Sequence, residues 1–121
     1  MSGIASLFVW RRRHVVVVAI TGEIDLSNAR ELEGMIAADL GDATTLVIDL
    51  GGLTFIDAAG VHLLHRIAER VRHFALVIGD DTPPRRVLEL TGERRLYSTE
   101  DAALAGVAHA GGDPGDRRQE W

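Results

Sequence analysis

The chain reads as a single α/β domain: a mostly parallel sheet of about four to five strands, an antiparallel hairpin at its N-terminal side and about four helices. Three observations predict this. Val15 to Ile20, Leu46 to Leu50 and Phe74 to Ile78 are short apolar runs of the kind found in strands covered on both faces. Amphipathic stretches of helical spacing separate them, the alternation that produces parallel strands joined by crossovers. Finally, 121 residues hold one core, because domains of roughly 100–150 residues are the commonest size.

Ile4 to Trp10 is apolar and β-prone, and Arg11 to His14 breaks it before the Val15 run begins, so a tight hairpin is expected there. The three arginines at its tip read as a solvated turn. Thr21 to Asp25 turns the chain out of the second strand, with Gly22 taking up the unusual backbone angles. Ser27 or Asn28 can cap the next helix, and Asn28 with Glu31 resembles a capping box. Leu32, Met35, Ile36 and Leu40 line its inner face and Gly41 stops it.

Gly51-Gly52 is expected to end the third strand. After Leu53 to Ile56, Asp57 stands where an N-cap belongs, and Val61, Leu64, Ala68 and Val71 then recur at helical spacing. Thr82 ahead of Pro83-Pro84 starts a further helix, with Val87, Leu88 and Leu90 facing inward and Gly92 ending it. Arg95 to Ser98 is a brief edge strand, and Thr99 caps a last helix through Ala108. The domain is thus expected over 1–108, with 109–121 a disordered polar tail.

A formal net charge of −5 argues against nucleic acid as a partner, since phosphate neutralisation needs a basic excess. The absence of cysteine removes disulfides, thiolate metal sites and cysteine nucleophiles, and is compatible with a reducing cytoplasm. No stretch reaches the ~18 apolar residues of a membrane span, so a cytoplasmic protein without membrane insertion is expected.

Function is expected at the junction Asp57-Ala58-Ala59-Gly60, at the carboxyl end of a parallel strand, where helix N–H groups and the dipole converge. The tip lacks Ser, Thr and Cys, so no nucleophile lies beside a base, and no glycine-rich phosphate loop is present. Catalysis is not expected. Glu23 and Asp25, near Asp57, would give the tip an acidic rim. His62, Arg66 and Arg70 form a basic stripe on the exposed face of the following helix, with His65 and Glu69 alongside. The i, i+3 histidines lack further ligands, so neither metal nor cofactor is expected.

VVVVAITGEIDLSNARELEGMI, LVIDLGGLTFIDAAGVHLL and PPRRVLELTG at this spacing resemble the STAS domain (sulfate transporter and anti-sigma-factor antagonist), most closely the free-standing bacterial anti-sigma-factor antagonists. The resemblance runs from about Ile4 to Val107. It implies binding to an anti-sigma factor of the serine-kinase type, as a monomer or weak dimer. It places the partner surface at Glu23, Asp25, Ser27, Asp57, Ala58, Ala59, Gly60 and Val61, that is, the Gly22–Ser27 turn and the Asp57–Val61 helix start. The family's phospho-acceptor follows the motif aspartate, and here that position is Ala58, which has no hydroxyl. Glu93 also departs from the pattern, where relatives usually carry an apolar residue. The alternative implied is a STAS module without phosphorylation, acting as a scaffold or ligand-sensing subunit of a stress-signalling or lipid-transport complex.

Overall fold

The computed structural model describes residues 4–110, with side chains through Ala108. In chain order the elements are β1 (Ala5–Arg12), β2 (Val15–Ile24), α1 (Ala29–Leu40), β3 (Thr45–Ile56), α2 (Ala58–Ala68), β4 (His73–Val77), α3 (Pro83–Leu90), β5 (Leu96–Tyr97) and α4 (Glu100–Ala110). The strands form one sheet in the order β1-β2-β3-β4-β5. β1 and β2 make the expected antiparallel hairpin, with Arg12 opposite Val15 across the Arg13-His14 turn, and the remaining pairs are parallel. The tail expected over 109–121 lies outside the described residues, except that the backbone of His109 and Ala110 continues α4.

The sheet advances in one direction from β2 to β5, so connections of one hand must place α1, α2 and α3 on the same face. The main core lies there: Ile20, Ile48, Leu50 and Leu76 from the strands meet Leu32 and Ile36 of α1, Leu64 and Ile67 of α2, and Leu88 of α3. On the opposite face Ala103 and Val107 of α4 cover Val17, Val47, Ala75 and Val77. Both faces of β3 are therefore buried, as its continuous apolar run requires.

Several expectations are corrected. Gly51-Gly52 does not end β3, which runs on to Ile56. Its pairing with β2 slips twice, between Ala19 and Thr21 and between Gly22 and Glu23, so the pair is bulged rather than turned. A Cβ on Gly52 would stand 2.6 Å from Thr21 Cγ2, which explains the glycine by close strand approach. β2 likewise continues past Gly22, whose φ of +98° puts the bulge within the strand.

Met35 and Leu90 face solvent, because each falls off the buried stripe of its helix. α2 ends at Ala68, so Val71 and Arg70 lie beyond it. Asn28 makes no capping bond. It is buried, accepts from Asp25 N–H and donates to the Glu23 carbonyl, tying the turn back onto the end of β2.

The hairpin arginines are more than solvated charge. Arg11 donates to the Arg13 and Leu40 carbonyls and pairs with Asp42, so it fastens the end of α1 to the hairpin.

Candidate partner-binding site

Asp57 is the residue that builds the tip. It caps α2 as expected, its Oδ1 accepting from Gly60 N–H at 3.1 Å. Its other carboxylate oxygen accepts from Leu26 N–H at 3.2 Å, and its own N–H donates to the Ile24 carbonyl. One side chain thus clamps the start of α2 to the turn that leads from β2 into α1. Among the described residues no basic side chain pairs with it.

The turn is organised by Asp25 and Asn28. The Asp25 carbonyl accepts from Asn28 and Ala29 N–H, and its carboxylate accepts from Ser27 N–H and the Ser27 hydroxyl. Thr54 adds a bond from its hydroxyl to the Gly22 carbonyl. These bonds fix a surface on which Glu23, Ser27 and Ala58 are exposed and Asp25, Asp57 and Ala59 are half-exposed.

Gly60 and Val61 do not belong to that surface, because both are buried. A Cβ on Gly60 would lie 2.5 Å from Ile56 Cγ1 and 3.0 Å from Ile24 Cγ2. The glycine lets the helix settle against the strand ends, and Val61 packs beneath it.

Two apolar residues on the surface were not foreseen. Leu26 is 82% exposed and Phe55 47% exposed, and they flank the acids: Phe55 pairs with Glu23, and Leu26 is held by Asp57. An unburied leucine inside the polar GEIDLSN turn was the available signal. The tip is therefore an apolar patch with an acidic rim. Such a surface can recognise a protein.

The STAS domain family model matches residues 9–103. The chain belongs to the STAS domain family. It is 36% identical over 99 residues to the anti-sigma-F factor antagonist RsfB of Mycobacterium tuberculosis, covering 77% of this chain and 81% of that protein. The anti-sigma F factor antagonist of Lysinibacillus sphaericus is 29% identical, with 76% and 85% covered. A crystal structure of an anti-sigma factor antagonist from Mycobacterium paratuberculosis superposes with a TM-score of 0.77 at 33% identity, covering 86% of this chain and 94% of that one. Unphosphorylated SpoIIAA shares the fold, with a TM-score of 0.69 at 23% identity over 86% and 97% of the two chains.

Elsewhere on this STAS domain, the basic stripe of α2 is partly spent inside the molecule. Arg66 donates to Glu33 of α1 at 2.9 Å, and that bond, aided by the nearby Arg70 and Arg30 charges, holds the Glu33 carboxyl below its ordinary range. His65 lies 3.9 Å from Glu93. Glu93, the residue at the departing position, is buried and accepts from Arg94 N–H, Arg95 N–H and both ends of the Arg95 guanidinium fork. Burial alone would raise its pKa, but Arg95 and the two N–H groups outweigh burial and lower it. Arg95 in turn lies over the Phe74 ring at 4.9 Å. No group of three or more metal-ligating side chains occurs among the described residues, and none of their helices is long and apolar enough to cross a membrane.

Proposed function

We propose that this STAS protein is an anti-sigma-factor antagonist that engages an anti-sigma factor of the serine-kinase type through its tip and does so without a phosphorylation switch at position 58. The observation that carries the reading is the tip itself. Asp57 clamps Leu26 and the acidic turn of Glu23 and Asp25 to the helix start at Ala58, and strand pairing sets Phe55 beside Glu23, in a chain whose relatives bear the name anti-sigma-F factor antagonist.

The chemistry of the switch explains what Ala58 changes. A phosphate adds nearly two negative charges; at position 58 it would crowd the like charges of Asp57 and Asp25 and set a strongly hydrated dianion where a partner must dry the apolar patch to dock. Alanine keeps the surface permanently in the binding form. The scaffold or ligand-sensing reading shares the missing hydroxyl but lacks support from the relatives' names.

Titration calorimetry against the kinase-type anti-sigma factors of the source genome tests the proposal. Ala58→Glu and Asp57→Lys are expected to weaken binding at least about tenfold, a loss of roughly 1.4 kcal/mol. Incubation with kinase and Mg-ATP should leave the native chain unmodified and phosphorylate Ala58→Ser. Equal binding by all variants would refute the surface, and phosphate at Ser27 or Thr54 of the native chain would refute the absence of a switch.

A further inference from the structure

β1 is an edge strand, and from Ile4 to Trp10 it lacks the devices by which sheets usually protect their edges. Its Arg12–Val15 pair closes a two-residue turn and must be a mutually hydrogen-bonded pair, and the Glu23 N–H to Ile4 carbonyl bond at the other end fits the same phase. Even-numbered residues therefore spend their backbone groups on β2. Ala5, Leu7, Val9 and Arg11 turn theirs outward, and no strand among the described residues pairs with them. From Ile4 to Trp10 there is no charge, proline or bulge on β1. The other edge of the sheet is only Leu96–Tyr97, too short to invite pairing.

The side chains add a second observation. Phe8 is 71% exposed and Trp10 39%, on the face where α4 packs over β3, β4 and β5, and their rings touch each other at 6.0 Å between centroids. Ile4 and Met35, near the same edge, are also exposed and line a groove with Ala5, Leu7 and Leu32.

We propose that this edge pairs antiparallel with β1 of a second copy about a twofold axis near Phe8, joining two five-stranded sheets into one. The charges select this arrangement. Arg11, Arg12 and Arg13 cluster at one end of β1, so parallel pairing would set the clusters side by side, whereas antiparallel pairing sends them to opposite ends. With the axis at Phe8, Leu7 and Val9 of one copy exchange backbone bonds with Val9 and Leu7 of the other. The two Phe8 rings become direct neighbours and Trp10 lies opposite Ser6. The exposed parts of Phe8, Trp10 and Ile4 amount to about 400 Å² per copy. Doubled, that falls below the ~1,200 Å² of stable complexes, so the dimer is weak and depends on concentration. Because Ile4 bonds to Glu23, each partner-binding tip sits at the N-terminal end of its own β1. Antiparallel pairing carries the two tips to opposite ends of the joined sheet and leaves both open.

Sedimentation equilibrium on the full chain, with amide exchange by NMR, tests this. The native protein should show a monomer–dimer equilibrium with a midpoint between about 10 µM and 1 mM. Phe8→Lys, at an exposed position, should weaken it at least about tenfold with an unchanged circular dichroism spectrum. Ala58→Glu at the tip should leave the dimer as it is. Leu7 and Val9 amides should exchange about two- to sixfold more slowly at 1 mM than at 20 µM, as the monomer fraction falls, while Phe8 and Trp10, already bonded to β2, should change little. A protein that stays monomeric to 1 mM, a dimer indifferent to Phe8→Lys, a dimer broken by Ala58→Glu, or Leu7 and Val9 amides unaffected by concentration would each overturn the proposal.

Discussion

Two carboxylates, Asp57 and Glu93, each gather backbone N–H groups around a turn, and they are treated in opposite ways. Glu93 is buried, receives two N–H groups and the full Arg95 fork, and is neutralised within the molecule. Asp57 receives N–H groups from Gly60 and Leu26, remains half-exposed, and has no basic side chain paired with it among the described residues. A carboxylate meant to hold a loop is paired and covered. One held by backbone alone keeps its charge available at the surface, as the proposed docking role of Asp57 requires.

The comparison can be broken in order of expected size. Gly60→Val should cost about 3 kcal/mol in urea unfolding, because its side chain would enter the space of Ile56 and Ile24 and force the tip off the strand ends. Glu93→Gln should cost about 2 kcal/mol at pH 7, since the charged bonds to Arg95 are lost. Asp57→Ala should cost about 1 kcal/mol, the value of a helix cap, while its effect on partner affinity is larger. If Asp57→Ala destabilises more than Glu93→Gln, the division of labour between the two acids is wrong.

The pH dependence sharpens the same contrast. Glu93 is lowered in the folded protein, so its contribution is complete above its unfolded pKa and is lost as pH falls through the folded value. The stability gap between the native protein and Glu93→Gln should therefore be full at pH 7 and close below about pH 4. Ala58→Ser should be the smallest change, within about 0.5 kcal/mol, because position 58 is exposed and supports nothing.

Legibility in the sequence followed the range of the interactions. Asp57 and Thr82 were readable as helix caps because a cap needs only residues three positions away, and both make that bond. Gly51-Gly52 reads locally as a strand end, because the cause of Gly52 is Thr21 on another strand, which no local pattern reveals. Asn28 with Glu31 has the spacing of a capping box, but the partners of Asn28 lie behind it, at Glu23 and Asp25. The acids of the tip were found by motif. Leu26 and Phe55 were missed because their exposure follows from the clamp by Asp57 and from the pairing of β3 with β2, not from their own neighbours in the chain. Gly60 and Val61 belong to the expected Asp57–Val61 helix start, but the helix period turns both inward.

The bond from Glu23 N–H to the Ile4 carbonyl has a practical consequence for how the protein can be handled. Ile4 thus lies one residue pairing away from the acidic turn and beside the open strand, so it is a poor point at which to attach an affinity tag, a fluorophore or an immobilisation linker. Probes anchored there would shade both surfaces at once. Attachment through an exposed residue of α3, such as Arg86, keeps the reporter on a different element from either of them.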